Sequence, residues 1–243
     1  MNFYKDKIIF TGGSGRFGKV FKKAYFFKNI LYPTKKELDI NNFDSIKIFL
    51  KKVKPKIIIH AAAISRPMKI HDDFPEKSIQ TNIIGTSNLA ILCIKMRIKL
   101  IYFSTNYVYP SNNQRNKETD PLLPINNYAI SKMGGECAVQ MCKNSLILRI
   151  FMSEKPFLHK LAFSDVKANF LYHDEVVKLL PKIINLRGIL NIGGKIQSIY
   201  DFAKLSNKNV KKIKAKKILK NNYFASQLIN VDKLNYIIKN SKV

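Results

Sequence analysis

The stretch that decides the fold is residues 7–18, KIIFTGGSGRFG. Its first five residues are mostly apolar and predict a buried β-strand, and the glycines that follow predict a tight turn that opens a helix. These glycines satisfy GxxGxxG at 12, 15 and 18 and GxGxxG at 13, 15 and 18. Glycine permits a tight turn and lets the backbone approach a pyrophosphate at the start of the helix. An ordinary turn is the alternative, but the order of elements favours dinucleotide binding.

Further along the chain, apolar strand-like runs alternate with longer amphipathic stretches. Strands are predicted at 7–11, 29–32, 56–60, 99–104, 146–150 and 189–192. Helices are predicted from the glycine-rich turn to about residue 27, and at 43–53, 78–96, 128–142, 174–184 and 198–205. This alternation is typical of a parallel sheet covered on both faces. We therefore expect an α/β fold, a doubly wound parallel (Rossmann) sheet with a small C-terminal substrate lobe.

The pattern becomes irregular after Arg149. We expect residues 1–150 to form an NAD(P)-binding Rossmann domain. Residues 151–243 are then a small substrate-binding lobe, interleaved with the first domain.

Composition excludes several classes of protein. A hydrophobic content of 46% argues against disorder, and no apolar run reaches the ~20 residues of a membrane span. Three cysteines without a CxxC pair argue against a disulfide scaffold or a cysteine-based zinc site, and no metal site is predicted. The N-terminus resembles no signal peptide, so we expect a cytoplasmic protein without a membrane partner.

The net charge of +27 raises the question of a polyanionic partner. The lysines are scattered except at 204–220, a segment with eight lysines and no acidic residue. A solvated surface that reflects composition is one explanation, and a selected anion site is the other. Since no RNA-binding motif accompanies the lysines, nucleic acid is the partner that we favour least.

The end of the second strand bears on cofactor choice. An acidic residue there would bind the ribose 2′-hydroxyl of NAD, whereas cations accept the 2′-phosphate of NADP. The chain has Lys35 and Lys36 at this point, and Arg16 in the glycine-rich turn. These residues favour NADP(H). NAD(H) stays open, because lysine is abundant throughout the chain.

A candidate catalytic pair occurs on the helix predicted at 128–142. Tyr128 and Lys132 form YxxxK, and the i, i+4 spacing places both side chains on one face. A neighbouring ammonium favours the phenolate of a tyrosine whose ordinary pKa is about 10. Upstream, Ser104 and Thr105 end the fourth strand, where open α/β sheets bind ligands. A hydroxyl there could bind a substrate carbonyl beside the tyrosine.

With these motifs the chain resembles the extended short-chain dehydrogenase/reductase family, in its dTDP-4-dehydrorhamnose reductase branch. The matching segments cover roughly residues 5–205 and run in family order: TGGSGRFG, ELDI (37–40), PKIIIHAAA (55–63), TNIIGTSNLA (81–90), STNYVYP (104–110), PINNYAISKMGGE (124–136), LILRI (146–150) and GILNIGG (188–194). As an ordered set they are far more specific than either motif alone.

The resemblance implies a role for individual residues. Tyr128 would be the general acid, Lys132 the partner that lowers its pKa, and Thr105 the hydroxyl that completes the triad. The implied cofactor-binding residues are Gly12, Gly15, Arg16, Phe17, Gly18, Lys35, Lys36, Asp39, Ile40, Ala61, Ala62, Ala63, Asn82, Tyr128 and Lys132. Asp39 could instead cap the next helix, the alanines could allow close packing, and Asn82 could bind backbone locally.

The chain departs from the branch in several places. Asn106 stands where the branch usually has Asp, and Ala129 follows the tyrosine where Gly is usual. Residues 151–173 look short for the family's substrate-binding insertion, and the last forty residues match loosely. These departures leave the identity of the sugar open.

The resemblance implies NAD(P)H-dependent reduction of the 4-keto group of a nucleotide-linked deoxysugar, with a nucleotide-diphosphate sugar as the substrate. Two alternatives stay open: a sugar-nucleotide epimerase or dehydratase of the same fold, and a non-catalytic regulatory protein that binds a sugar nucleotide or NADP. An intact Thr105, Tyr128 and Lys132 set favours an enzyme, and Asn106 favours reduction over dehydration. Homodimer formation is also left open.

Overall fold

The computed structural model describes residues 6–24, 27–219 and 226–241. Its strands are β1 Ile8–Thr11, β2 Ile30–Leu31, β3 Ile57–His60, β4 Lys99–Phe103, β5 Arg115–Asn116, β6 Ser145–Ile150, β7 Met152–Ser153, β8 Leu161–Phe163, β9 Lys167–Ala168, β10 Leu171–Tyr172, β11 Gly188–Ile192, β12 Gln197–Ser198, β13 Lys211–Ile213 and β14 Leu228–Ile229. Its α-helices are α1 Arg16–Lys22, α2 Phe43–Val53, α3 Ile70–Asp73, α4 Pro75–Ser78, α5 Thr86–Met96, α6 Asn127–Gln140, α7 His173–Ile183, α8 Ile199–Lys204, α9 Ala215–Leu219 and α10 Asp232–Asn240.

A six-stranded parallel sheet organises the molecule, in the order β11-β6-β4-β3-β1-β2. The chain starts inside the sheet at β1, adds β2 on one side and then continues with β3 on the other. The strand order therefore reverses beside β1, which is where open α/β sheets form a ligand crevice. The predicted α/β fold, doubly wound about a parallel sheet, is confirmed.

Both faces of the sheet are covered, as β1 illustrates. Ile8 and Phe10 pack into the core on one face, and Ile9 packs into the core on the other. All four residues of β1 are buried. Alternate side chains of a strand point to opposite faces, so an apolar run without polar interruptions is what a two-sided parallel sheet needs.

Helix boundaries follow local capping chemistry. The side chain of Asn42 accepts a hydrogen bond from Ser45 N at 2.9 Å and begins α2, while Lys54 ends that helix in the left-handed region with φ 51°. Asn126 caps α6 in the same way, by accepting from Ala129 N at 2.8 Å. The observed bounds of α2 and α6 agree with the predicted bounds to within a residue or two.

Two predicted helices differ from the observed ones. The first helix ends at Lys22 and not near residue 27. The reason is that Phe27 enters the core from outside the helix, where its ring stacks on that of Phe21 with the ring centroids 5.7 Å apart. Residues 25 and 26 of that prediction lie outside the described residues. The helix predicted at 78–96 begins with a π-helical stretch, Ile79–Gly85, that continues directly into α5.

The C-terminal part combines a sheet strand with short strand pairs. β11 pairs in parallel with β6 and so belongs to the central sheet. The buried residues Phe157, Tyr172 and Phe202 belong to a separate apolar cluster. Among the described helices, none is long and apolar enough to cross a membrane. The division at residue 150 stays a prediction.

Candidate active site

A cavity of about 1230 Å³ opens at the carboxyl ends of β1, β3, β4 and β6. Single-ligand pockets typically enclose about 300–1,000 Å³, so this cavity has room for more than one small ligand. Ten of the predicted site residues lie in its lining: Gly12, Gly15, Arg16, Phe17, Gly18, Ala61, Ala63, Thr105, Tyr128 and Lys132. Sequence positions more than a hundred residues apart are thus brought to one space.

The glycine-rich turn forms one wall of the cavity. Gly12 has φ +80°, and a Cβ there would lie 2.7 Å from the backbone nitrogen of Ala62. Gly15 N donates to the Gly12 carbonyl at 3.0 Å, and an added Cβ at Gly18 would overlap that same carbonyl. A Cβ at Gly15 would meet the Gly12 oxygen at 3.2 Å and no other atom closely. Gly12 and Gly18 are therefore required by the turn itself, whereas Gly15 keeps the cavity side of the turn bare.

A second part of the cavity wall carries the predicted catalytic residues. Thr105 follows Ser104, the first residue beyond the end of β4, and its hydroxyl accepts a hydrogen bond from Tyr107 N at 3.3 Å. The Thr105 side chain also lowers the pKa of Tyr128. Lys132 is buried one turn further along α6, with its ammonium 4.1 Å from the centre of the Tyr102 ring. The hydroxyl of Tyr102 donates to the Lys132 carbonyl at 2.9 Å and fixes the helix to β4.

The electrostatics of this wall correct one expectation. Burial raises the pKa of Tyr128, and the charge of Arg66 and the Thr105 hydrogen bond offset this only in part. Burial also lowers the pKa of Lys132 to about 7, against the opposing charge of Glu136. Burial is the largest influence on both groups, and Lys132 is not among the groups that act on Tyr128, so the predicted lowering of the Tyr128 pKa by Lys132 is not found.

Six predicted cofactor residues are not part of the cavity lining: Lys35, Lys36, Asp39, Ile40, Ala62 and Asn82. The Lys35 ammonium is 3.9 Å from the carboxylate of Asp39, and the backbone nitrogen of Asp39 donates to Ser45 at the start of α2. The backbone nitrogen of Ala62 donates to the Thr11 hydroxyl.

Asn82 has a local structural role. Its side-chain oxygen accepts a hydrogen bond from Ile64 N at 2.8 Å. Its side-chain nitrogen donates to the Ile64 carbonyl at 2.9 Å and to the Ser131 hydroxyl on α6 at 2.9 Å. It therefore ties the connection after β3 to the helix that carries Tyr128 and Lys132. The helix-start role considered for Asp39 belongs to Asn42, which caps α2.

A buried polar network behind the wall was not predicted. The Glu136 carboxylate accepts from Arg149 Nε at 3.0 Å and from Ser104 at 2.6 Å. Arg149 also donates to the Tyr109 hydroxyl at 2.7 Å, which in turn donates to Asn191. Because Glu136 follows Lys132 by four residues on α6, the i, i+4 spacing could have indicated it.

Three further cavity residues were also missed. The Arg66 guanidinium lies 3.6 Å from a carboxylate oxygen of Glu154, and that of Arg16 lies 3.1 Å from the other oxygen. The ring of His71 is 5.1 Å from that of Tyr128, and its Nδ1 is 2.7 Å from Ser78 Oγ. Arg66 could have been found, since it follows β3 at the edge where ligands bind. Nothing in the sequence separates Glu154 or His71 from a surface residue.

Among residues 6–24, 27–219 and 226–241, no group of three or more His, Cys, Asp and Glu side chains is arranged to hold a metal ion.

Comparison with known sequences gives partial matches. A dTDP-4-dehydrorhamnose reductase from Mycolicibacterium smegmatis is 30% identical over 142 residues, which are 57% of this chain and 42% of that protein. Methionine adenosyltransferase 2 subunit beta from Bos taurus is 26% identical over 148 residues, 57% of this chain and 44% of that protein. The chain spans less than half the length of these curated relatives.

Solved structures match over nearly the whole chain. A dTDP-4-dehydrorhamnose reductase from Bacillus anthracis, solved in complex with NADP, has a TM-score of 0.77 and 22% identity, and the match covers 98% of this chain and 100% of that one. The enzyme WbmG from Bordetella bronchiseptica, solved with NAD, has a TM-score of 0.75 and 18% identity, covering 98% and 89%. At this identity the likeness establishes the fold.

The sequence profile of the RmlD substrate binding domain matches residues 6–153, more than half of the chain. The matched region contains the glycine-rich turn, Thr105, Tyr128 and Lys132, all of which contribute to the cavity lining. The chain therefore belongs to the RmlD substrate binding domain family.

Proposed function

We propose that the chain is an oxidoreductase that uses NAD(P)H to reduce the 4-keto group of a nucleotide-linked deoxysugar. One observation carries the proposal: a single cavity is lined both by the bare glycine turn and by Thr105, Tyr128 and Lys132. Family membership and the two curated and solved dTDP-4-dehydrorhamnose reductases named above support it. The substrate class is thus a nucleotide-diphosphate sugar.

The glycine turn fits a dinucleotide, because a Cβ at Gly15 would intrude on the wall where a pyrophosphate would lie. When bound, the reduced nicotinamide supplies the hydride. Tyr128 is the proton donor in this proposal. Since burial keeps its pKa above the ordinary value, the hydroxyl is protonated at neutral pH and can give its proton to the developing alkoxide.

Thr105 and Lys132 position this proton transfer. The Thr105 side chain lines the cavity together with Tyr128 and lowers the pKa of Tyr128, so its hydroxyl can bind the substrate oxygen beside the tyrosine. Lys132 is buried against Tyr102 and has a pKa of about 7, so it changes protonation state close to neutral pH. An anionic or hydroxyl-bearing ligand beside it would favour its ammonium form.

For the cofactor, we propose that NADP(H) is favoured and that NAD(H) can also bind. Arg16 is the cation that lines the cavity on the glycine turn, while Lys35 and Lys36 lie in the turn that follows β2. The two solved neighbours hold NADP and NAD respectively. Cytoplasmic location and homodimer formation stay predictions from sequence.

A second candidate function is a non-catalytic protein that binds NADP or a sugar nucleotide. The observation in its favour is the match to methionine adenosyltransferase 2 subunit beta, a protein named as a subunit of an assembly. The complete Thr105, Tyr128 and Lys132 set favours the enzyme instead. A dehydratase would need an acid beside that set, and the buried Asn106 amide, both of whose polar atoms lack hydrogen-bond partners among the described residues, cannot supply one.

The test combines binding with turnover. Thermal unfolding of the full chain is measured with NADPH, NADH and a panel of dTDP-, GDP-, UDP- and CDP-sugars, because a ligand that binds only the folded state raises its stability. NADPH oxidation is then followed with the corresponding 4-keto sugars. We expect stabilisation by NADPH and by one nucleotide class, and oxidation with its 4-keto sugar. Binding of both without oxidation would favour the non-catalytic candidate, and tightly held oxidised NAD in the purified protein would favour an epimerase.

A further inference from the structure

Three charged side chains from separate segments meet in the cavity. Arg16 begins α1, Arg66 lies on the connection after β3, and Glu154 directly follows β7. The two oxygens of the Glu154 carboxylate are divided between the arginines, at 3.1 Å from Arg16 and 3.6 Å from Arg66. All three residues line the cavity. Glu154 therefore connects the glycine wall with the connection after β3.

The environment of this cluster keeps Glu154 negative. Burial raises the pKa of its carboxyl group, but a backbone hydrogen bond and the charges of Arg66 and Arg16 outweigh that effect and leave the pKa below the ordinary value. The carboxylate is 16% exposed, whereas the side chains of Arg16 and Arg66 are 45% and 38% exposed. The anion is thus enclosed, and the cations that hold it still face the open cavity.

Ion pairs of this exposure are weak and exchangeable. An ion pair whose cation is exposed typically changes an equilibrium constant by no more than about fivefold, because water and salt screen the cation. A phosphate group carries more charge than a carboxylate and offers several acceptor oxygens to a guanidinium. A phosphate that entered the cavity would therefore compete well with Glu154 for both arginines.

We propose that Arg16 and Arg66 form a phosphate-binding subsite, and that Glu154 is the built-in counter-ion that a nucleotide phosphate displaces. This inference rests on the proposed nucleotide-binding function and deepens it. The ligand chemistry is a phosphate or diphosphate ester of a nucleotide. Such a phosphate can come from the dinucleotide cofactor, because Arg16 lies on the glycine turn. It can also come from the diphosphate of the sugar nucleotide, because Arg66 acts electrostatically on Tyr107 and Tyr128.

The experiment is calorimetric titration of the full chain with NADP⁺ and, separately, with dTDP. Glu154→Gln removes the competing charge and keeps the shape, so the affinity for at least one of these probes should rise about fivefold. Glu76→Gln is the matched control, since it removes the same charge from an exposed carboxylate on α4 outside the cavity lining. It should leave both affinities unchanged.

Arg66→Gln identifies the source of the phosphate. It should weaken NADP⁺ binding about fivefold if the cofactor phosphate enters the subsite, or dTDP binding if the substrate diphosphate does. This variant also decides the matter alone if Glu154→Gln fails to fold, as judged by circular dichroism and thermal unfolding.

The outcomes separate this inference from the proposed function. If the unmodified chain binds neither probe, both fail. If it binds them but Glu154→Gln behaves like Glu76→Gln, or binds more weakly than the unmodified chain, the inference is wrong and the proposed function stands. Unchanged affinity for both probes in Arg66→Gln would overturn it equally.

Discussion

At the scale of single residues, Lys132 is the clearest case of a side chain whose chemistry depends on burial. The folded protein lowers its pKa from 10.5 to about 7. Between these two pH values the unfolded chain binds more protons at this position than the folded chain does. The contribution of this position to the free energy of unfolding therefore rises as the pH rises through that window. Below pH 7 the destabilisation caused by burying the charged ammonium is fully present.

This sign gives a stability prediction. Between pH 7 and pH 9 the unfolding free energy of the unmodified chain should rise relative to that of Lys132→Met by up to about 2 kcal/mol. Urea unfolding of both proteins at several pH values measures the difference. The exposed Lys143→Met is the control and should show no such pH-dependent difference. A constant difference across the window would mean that Lys132 keeps an ordinary pKa in the fold.

Prediction from sequence succeeds unevenly at this scale. YxxxK spacing and the strand-end position of Thr105 are local patterns, and the structure places all three of these residues in one cavity. The predicted lowering of the Tyr128 pKa by Lys132 is not found, because spacing reports neighbours along a helix but not the depth of burial, and burial raises the pKa of Tyr128. Glu154 could not be found, since its role depends on two arginines distant in sequence.

At the scale of elements, the glycine turn separates two requirements. Gly18→Ala places a Cβ against the backbone of Gly12 and Gly13, which cannot move without opening the turn. Gly15→Ala meets one backbone oxygen at 3.2 Å and is otherwise unobstructed. The two substitutions add the same methyl group, so they form a matched pair.

We expect Gly18→Ala to lower the unfolding free energy by about 1–3 kcal/mol, as overpacking usually does. Gly15→Ala should change stability by less than about 1 kcal/mol and weaken NADPH binding instead, since its methyl group faces the proposed pyrophosphate position. Urea unfolding and calorimetric titration of both variants check this. Equal loss of stability in the two variants, with NADPH affinity intact in Gly15→Ala, would show that the loop is only a turn.

Element positions were predicted well where local signals are strong. The prediction for α2 agrees with the observed bounds because apolar spacing, an Asn cap and a left-handed end coincide at Phe43–Val53. The end of α1 was wrong because Phe27 is apolar at a helix-compatible spacing yet packs from a non-helical connection. The π-helical start before α5 carries no recognised signal in the sequence.

At the scale of the whole molecule, the parallel sheet was predictable and the C-terminal organisation was less so. Unbroken apolar strands determine which segments form the sheet, and β11 joins it as the pattern at 189–192 indicates. The short strand pairs of the C-terminal part are two or three residues long, below the length at which periodicity is informative. The described lysines of the basic run, from Lys204 to Lys217, do not line the cavity, and Lys220 lies outside the described residues.

The net charge of +27 must be separated from specific cofactor recognition. We expect NADPH to bind more tightly than NADH and the difference to shrink in added salt. Replacing Lys35 and Lys36 by Ala should remove most of the difference, while replacing the exposed Lys51 and Lys52 by Ala, an equal loss of charge, should keep it. Titrations of all three proteins at two salt concentrations measure this. The same effect from both pairs would assign the preference to overall charge.

The central claim is that Tyr128 donates the proton when NADPH reduces a nucleotide-linked 4-keto sugar. Single-turnover NADPH oxidation, compared between the unmodified chain and Tyr128→Phe with both ligands saturating, tests it most directly. Because the substitution removes one hydroxyl and keeps the ring, NADPH and sugar-nucleotide binding should stay nearly unchanged while the rate falls roughly 10²–10⁴-fold. An undiminished rate in Tyr128→Phe, or no oxidation by an unmodified chain that binds both ligands, would contradict the account.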